Sequence, residues 1–172
     1  MSTRIDKTFE RCRSEKRAAL VVYATVGCPS PAESEAVIDR LIANGADMIE
    51  LGVPFSDPMA DGPVIQKAGQ LALAAGAKFD DVLAIAGRIR AKYPETPLIL
   101  FSYYNVLLNR GLDKLGGELA AAGIDGVLAV DLPLEERGEL VPVCEKYGID
   151  LIPLVSPATP PERAKRIAAG CG

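Results

Sequence analysis

Two carboxylates within one short stretch of the chain have the setting of an acid–base site. Glu50 lies in an apolar run, and Asp61 follows in a loop that contains Pro54, Pro58 and Pro63. Proline fixes φ, so such a loop has few conformations to lose when it holds a ligand. The chain contains no histidine, which removes the commonest general base. Acid–base chemistry near neutral pH therefore falls to carboxylates or tyrosines.

The two acids differ in how strongly their surroundings indicate chemistry. Glu50 is flanked by Ile49 and Leu51, and side chains alternate along a strand, so Glu50 should point away from both neighbours. In a barrel that direction is the interior, where burial raises the pKa of a carboxyl and suits it to proton transfer. A paired or solvated strand glutamate is the plain alternative. For Asp61 the spacing by itself favours a turn residue, because 57–58 and 61–63 are both turn signals.

The bulk composition is that of one ordinary soluble domain. The chain has 172 residues, of which 49% are hydrophobic and 24% charged. Its net charge of -4 gives no support for a nucleic-acid or anionic-membrane partner. The longest apolar run, 18–26, is too short to span a bilayer, and the charged segment 4–17 is unlike a signal peptide. These features predict a cytoplasmic protein in which the scattered cysteines Cys12, Cys28, Cys144 and Cys171 are reduced thiols.

Strand and helix patterns alternate along the whole chain. Apolar, strand-like runs occur at 19–25, 48–51, 98–101, 127–130 and 151–155. Helical patterns occur at 3–17, 32–43, 64–75, 79–92, 112–122, 134–147 and 159–169, and Gly170 is predicted to cap the last helix. In the second of these helices the spacing predicts that Ala36, Val37, Leu41 and Ile42 face inward. Strands that alternate with helices indicate a parallel sheet built from βα units.

Two kinds of local signal mark the ends of these helices. Thr3 and Asp6 match a capping box at the first helix. Three of the helix-to-strand junctions contain glycine, at 45, 123 and 148, where a helix C-cap favours a left-handed residue.

Polar residues at the strand ends favour a barrel over an open sheet. They are Thr25, Glu50, Ser102 with Tyr103, Asp131 and Ser156. In a (β/α)8 barrel all carboxyl ends meet at one mouth, whereas an open doubly wound sheet uses mainly its switch point. No Gly-x-Gly-x-x-Gly follows the first strand. Because such barrels typically need ~250 residues, the sequence predicts a single incomplete domain over 1–172, with an N-terminal cover helix and about five βα units.

One string of residues resembles a known family nearly letter for letter. The sequence Glu-Leu-Gly-Val-Pro-Phe-Ser-Asp-Pro-Met-Ala-Asp-Gly-Pro-Val-Ile-Gln at 50–66 is similar to the signature of the tryptophan synthase α subunit family. The resemblance continues in Tyr-Ala-Thr-Val-Gly-Cys-Pro at 23–29, Phe-Ser-Tyr-Tyr-Asn at 101–105 and Val-Asp-Leu-Pro-Leu-Glu-Glu at 130–136. It implies a (β/α)8 lyase that cleaves indole-3-glycerol phosphate to indole and glyceraldehyde 3-phosphate by a retro-aldol reaction.

The resemblance also implies roles for individual residues. Glu50 matches the acid–base that moves protons between the glycerol hydroxyl and the indole ring carbon, and Asp61 matches the acid that accepts the indole N–H. Residues matching the substrate slot are Tyr23, Phe101, Tyr103, Leu128 and Leu154, and those matching the surface that faces a partner are Asp57 and Pro58. Plain core packing is the alternative for the aromatic residues and leucines. Asp131 is predicted either to hold the loop after the fourth strand or to cap a turn.

The family works beside a β subunit, so the resemblance implies an α2β2 assembly. Pyridoxal phosphate is then expected only in the β subunit, and no cofactor or metal in this chain. The family's phosphate loops follow its seventh and eighth strands. We therefore expect the 172-residue chain by itself to turn over poorly and to expose unpaired edges on its first and fifth strands. The alternative is a non-catalytic chain that docks on a β subunit and modulates it.

Overall fold

A parallel five-stranded sheet forms the centre of the protein. The computed structural model describes residues 3–169. The strands are β1 (Val21–Thr25), β2 (Met48–Gly52), β3 (Leu98–Ser102), β4 (Gly126–Ala129) and β5 (Asp150–Leu151). Each strand pairs with the next one in chain order, from β1 to β5. This order never reverses, as it would at the switch point of a doubly wound sheet.

Helices connect the strands and cover one face of the sheet. Those in the described part of the chain are α1 (Arg4–Ser14), α2 (Pro31–Ala43), α3 (Pro63–Ala74), α4 (Phe79–Lys92), α5 (Tyr104–Arg110), α6 (Leu112–Ala122), α7 (Leu140–Tyr147) and α8 (Pro161–Ala168). The helix predicted at 79–92 and the one at 112–122 have the predicted bounds. Gly170, the predicted cap of α8, lies outside the described residues.

The sheet separates a large core from a small one. Alternate residues of β2 and β3, such as Leu51 and Leu100, point outward into the core that packs on the helices. Met48 and Ile99 point to the other face and join Leu128 in a smaller cluster. We call this second face the inner face. It is the side on which Glu50 must lie, because side chains alternate along β2.

Helix α1 covers the amino ends of the strands. Its N-cap is a capping box, in which Thr3 and Asp6 each accept a backbone N–H of the other. Ile5 packs against the inner-face cluster. Arg4 forms an ion pair with Asp125, so the helix is fixed by charge as well as by apolar contact.

The packing of α2 differs from the prediction. Ala36 and Val37 were predicted to face inward, but both are exposed, and the buried residues are Ser34 and Ile38. Ser34 is buried because its hydroxyl accepts the N–H of Gly27 at 2.9 Å and donates to the carbonyl of residue 31. A hydroxyl that both accepts and donates a hydrogen bond can be buried. Ser34 therefore faces inward, whereas the apolar pattern had predicted that position for Ala36 and Val37.

Two predicted elements are shorter in the structure. The fifth strand was predicted at 151–155 but ends at Leu151. Pro153 follows two residues later and has no backbone N–H to donate to a neighbouring strand. The helix predicted at 134–147 begins only at Leu140. Residues 134–139 form turns that include Gly138, a residue that disfavours helix interiors.

Glycine ends three helices where the sequence predicted it. Gly45, Gly123 and Gly148 all have positive φ, which residues with a Cβ adopt reluctantly. The chain then enters β2, β4 and β5 directly. This repeated junction supports the βα units inferred from the sequence.

The predicted open edges are present at β1 and β5. Leu20 is 53% exposed beside β1, and Leu154 is 53% exposed just after β5. Exposed apolar side chains at two sheet edges indicate surfaces that no residue in the described range 3–169 covers. Within residues 3–169, no helix has both the length and the apolar character needed to cross a membrane.

Candidate active site

Glu50 occupies the middle of β2 on the inner face of the sheet. It lies between Tyr23 of β1 and Ile99 of β3 in the strand register. Its side chain is half-buried, and burial raises the pKa of its carboxyl above the ordinary value. The strand thus presents a carboxyl that holds its proton more firmly than one in water.

Tyr23 forms one wall beside Glu50. Its ring meets Phe101 edge to face, with 5.1 Å between the ring centroids. Gly52 makes room for it, because a Cβ at that position would approach the Tyr23 hydroxyl to 2.2 Å. The hydroxyl also accepts a hydrogen bond from Thr25 at 3.3 Å. The carboxyl end of the inner face therefore carries an aromatic pair next to the acid.

The loop that carries Asp61 is held close to β3. The backbone N–H of Ala60 donates to the Tyr103 hydroxyl at 2.9 Å. Tyr103 is 4% exposed and its ring stacks at an angle on Phe55, with centroids 5.1 Å apart. Gln66 donates to the Asp61 carbonyl from the other side. Contacts on both sides hold the backbone that presents Asp61.

Asp61 and Glu50 lie around the same tyrosine. The pKa of the Tyr23 hydroxyl is raised mainly by burial, and the negative charges of Asp61 and Glu50 raise it further. Burial also raises the pKa of the Tyr103 hydroxyl, and the negative charge of Asp61 raises it further. Neither acid takes part in an ion pair with any residue of the described range 3–169. Both carboxylates therefore act on the Tyr23 hydroxyl, and neither is neutralised by a cation in the described part of the chain.

The remaining predicted slot residues fall in different surroundings. Leu128 is 4% exposed within the inner-face cluster, and Phe101 packs partly against that cluster. Leu154 is exposed beyond the end of β5, on the rim of a cavity of about 350 Å³ that Val130 and Ile152 also line. The structure thus brings Tyr23, Phe101 and Leu128 to one face and leaves Leu154 at the open edge.

Two exposed apolar side chains adjoin the predicted partner surface. Asp57 is exposed and Pro58 partly so. Next to them, Met59 is 85% and Val64 81% exposed. Met59 lies in a proline-rich polar loop and Val64 in the first turn of α3. Neither was predicted as a partner contact, although large apolar residues in so polar a segment are a usable signal.

Asp131 connects two neighbouring loops of the mouth. Its carboxylate accepts the backbone N–H of Tyr104 at 2.7 Å. Tyr104 is the first residue of α5. This bond ties the loop after β4 to the start of α5, which follows β3, and it differs from the predicted cap of the turn before Leu132 and Pro133. Helix α5 itself was not predicted, because its cap comes from a residue distant in sequence.

Fold and site together define a class of protein. Parallel βα units in unbroken order, with a proton-holding acid on the inner face, are the pattern of (β/α)8-barrel enzymes, whose sites lie at the carboxyl ends of the strands. Within residues 3–169, no group of three or more side chains suited to metal binding is present.

Comparison with known proteins identifies the family. The family model described as "Tryptophan synthase alpha chain" matches residues 9–171. The tryptophan synthase alpha chain of Rhizorhabdus wittichii is 46% identical over 168 residues, which cover 98% of this chain and 62% of the relative. That of Nitrosococcus oceani is 47% identical over 167 residues, covering 97% and 62% respectively. The chain belongs to the tryptophan synthase alpha chain family.

Solved structures agree with this assignment and with the barrel fold. The tryptophan synthase alpha chain of Legionella pneumophila superposes with a TM-score of 0.93 at 39% identity, covering 99% of this chain and 64% of that one. A tryptophan synthase of Mycobacterium tuberculosis gives a TM-score of 0.94 at 34% identity, covering 99% and 66%. The chain therefore has the fold of the first part of a (β/α)8 barrel and spans about 62% of the length of the curated relatives it matches.

Proposed function

We propose that this chain carries the acid–base groups of a tryptophan synthase α subunit, which cleaves indole-3-glycerol phosphate to indole and glyceraldehyde 3-phosphate. The observation that carries the proposal is Glu50, a half-buried carboxyl with a raised pKa on the inner face of the sheet. Its burial keeps a proton available at a pH at which an exposed glutamate would have lost it.

The proposed reaction needs two proton transfers at one position. Protonated Glu50 gives its proton to the ring carbon that bears the side chain, and the ring becomes cationic. The Glu50 carboxylate then takes the proton of the adjacent hydroxyl, the carbon–carbon bond breaks, and its electron pair returns to the ring. Glu50 is thereby protonated again, and the side chain leaves as an aldehyde. One carboxyl group can carry out both proton transfers. We therefore infer that the cleavage of indole-3-glycerol phosphate needs no cofactor in this chain.

Asp61 has a complementary role in the proposal. Its carboxylate accepts the indole N–H, which becomes more acidic as the ring gains positive charge, so the bond strengthens in the transition state. The rings of Tyr23 and Phe101 and the side chain of Leu128 offer apolar surface for the indole. Tyr103 supports the loop that carries Asp61.

A completed barrel tests the proposal. In this completed barrel, residues 1–172 are fused to the part of the Rhizorhabdus wittichii relative that lies beyond the matched region. The measurement is the release of indole from indole-3-glycerol phosphate. We expect indole formation that falls about a thousandfold in Glu50→Gln, as for loss of a general acid–base. A folded completed barrel that releases no indole would contradict the proposal. The 172-residue chain by itself is expected to be slow, and a rate similar to that of an intact relative would refute this expectation.

The partner in the proposal is a tryptophan synthase β subunit in an α2β2 assembly, in which pyridoxal phosphate belongs to the β subunit. Exposed Met59 and Val64 beside Asp57 and Pro58 support a contact there. The proposed location is the cytoplasm. In the completed barrel, Met59→Asp should weaken binding to a β subunit at least tenfold by sedimentation, as expected for a central apolar contact.

Phe9→Asp supplies the control for this partner test. Phe9 is 47% exposed on α1, at the opposite end of the sheet, so its substitution should leave binding unchanged. The rival function, a docking chain without catalysis, is tested by Glu50→Gln in the same assembly. A docking chain would keep its effect on the partner's indole-consuming reaction and would release no indole in either form.

A further inference from the structure

The helix that follows the Asp61 loop carries a glutamine that reaches back across the loop. Gln66 lies in the first turns of α3 and is half-buried. Its Nε2 donates to the Asp61 carbonyl at 2.9 Å and to the Pro58 carbonyl at 3.3 Å. Because both partners are carbonyl oxygens, only the NH2 end of the amide can face them. One side chain thus fixes both ends of the turn 58–61.

The interior of the same turn is held by two further bonds. The N–H of Asp61 donates to the Pro58 carbonyl at 3.2 Å. The N–H of Ala60 donates to the Tyr103 hydroxyl at 2.9 Å. Gln66 holds the turn from α3, and Tyr103 holds it from the residue after β3, so the Asp61 side chain leaves from backbone that is fixed on both sides.

We propose that Gln66 is a positioning residue for Asp61: it holds the turn 58–61 so that the Asp61 carboxylate meets the N–H of a bound indole. This inference rests on the proposed function, which supplies the indole. Gln66 acts through the backbone of Asp61 and is not placed in contact with the substrate. Catalytic and binding groups need support of this kind, since a small displacement of the acid would lengthen its hydrogen bond to the ring.

The test uses a nearly isosteric change with a matched control. Gln66→Glu replaces the NH2 donor by an acceptor that faces two carbonyl oxygens, so both bonds are lost and repulsion replaces them. Gln70→Glu makes the same chemical change one turn further along α3, at an exposed position. Both variants add one negative charge to the same helix, so a difference between them reports the position of the residue.

The first measurement is amide hydrogen exchange on the full 172-residue chain by NMR. In Gln66→Glu the amides of Ala60 and Asp61 should exchange about tenfold faster, the effect of losing about one net hydrogen bond. Amides of α4 should keep their rates, and Gln70→Glu should match the wild type throughout. Unchanged exchange at Ala60 and Asp61 would overturn the proposal.

The second measurement separates positioning from a purely structural role. Indole and 1-methylindole are titrated into each variant, and only indole has an N–H for Asp61 to accept. The preference of the wild type for indole should fall about tenfold in Gln66→Glu, with little change in affinity for 1-methylindole. Equal weakening of both ligands would overturn the positioning role.

The two measurements also distinguish failure of this inference from failure of the proposed function. A wild-type chain that binds indole and 1-methylindole equally would overturn the proposed role of Asp61, and the role of Gln66 with it. A wild-type preference for indole that survives in Gln66→Glu would overturn the role of Gln66 alone.

Discussion

The two ends of the sheet hold acidic side chains in opposite ways. At the amino ends of the strands, Asp47 pairs with Arg17 at 2.6 Å and Asp125 pairs with Arg90 at 2.5 Å. Both aspartates are buried. Toward the carboxyl ends, Glu50 is half-buried, and none of the ion pairs formed within residues 3–169 includes it. A cation neutralises the buried acid at one end, and none does so at the other.

This difference has consequences for protonation. The hydrogen bond from Arg17, together with the Leu20 N–H, holds the pKa of Asp47 well below its usual range despite burial. Burial without a cation raises the pKa of Glu50. The paired acid keeps a fixed charge and serves stability, whereas the unpaired acid can gain and lose a proton, which proton transfer requires.

The cations at the amino end come largely from outside the βα repeat. Helix α1 supplies Arg4 to Asp125 and Arg11 to Asp47, at 2.8 Å and 2.7 Å. The aspartates in turn accept the backbone N–H groups of Leu20, which precedes β1, and of Leu98, the first residue of β3. The cover helix therefore fixes the end of the sheet that carries no proposed chemistry.

The largest expected effect comes from Glu50→Gln in the completed barrel. Indole release should fall about a thousandfold, because the amide cannot exchange the proton. Urea denaturation should show no loss of stability. Loss of activity together with a large loss of stability would place Glu50 with the structural acids and break the comparison.

The next largest effect is expected at the opposite end of the sheet. Asp125→Ala leaves the Arg90 guanidinium, 13% exposed, without its partner and should lower the free energy of unfolding by about 3 kcal/mol in urea denaturation. Asp113→Ala removes an acid that is 89% exposed and should change it by less than about 0.5 kcal/mol. Equal losses of unfolding free energy in the two variants would show that the buried pair of Arg90 and Asp125 stabilises the protein no more than an exposed acid does.

A smaller effect is expected where the Asp61 loop meets β3. Tyr103→Phe removes the acceptor of the Ala60 N–H and should cost about 1 kcal/mol of stability by thermal unfolding. Tyr104→Phe is the control, because the Tyr104 hydroxyl has only a long contact of 3.5 Å with Glu139. A larger loss in the control would contradict the role given to Tyr103.

The smallest effect is a contrast in pH dependence. The pKa of Glu50 is raised above 4.5 by folding, so the native state binds more protons and stability falls as pH rises through that region. The pKa of Asp47 is lowered from 3.8, so its stabilisation is present above that pH and is lost on further acidification.

Urea denaturation between pH 3 and 7 checks this contrast. Relative to the wild type, Glu50→Gln should gain stability as pH rises above 4.5. Asp47→Asn should instead begin to lose its disadvantage as pH falls below 3.8. Parallel curves for the two variants would mean that the two ends of the sheet do not differ in protonation.

Much of the fold follows from local signals in the sequence. The bounds of α4 and α6, the capping box at Thr3 and the left-handed glycines at 45, 123 and 148 were predicted from patterns a few residues long. Errors occurred where a distant contact decided the outcome. Ser34 is buried because Gly27 needs its hydroxyl, and α5 begins where Asp131 caps it.

The candidate site divides in the same way. The sequence determined that Glu50 lies on a strand, on the face opposite Ile49 and Leu51, because alternation is a local property of extended backbone. Only the tertiary structure decided that α1 supplies arginines to the acids at one end of the sheet and none to Glu50. The protonation of a buried acid depends on charges that are close in space, and sequence spacing does not specify that distance.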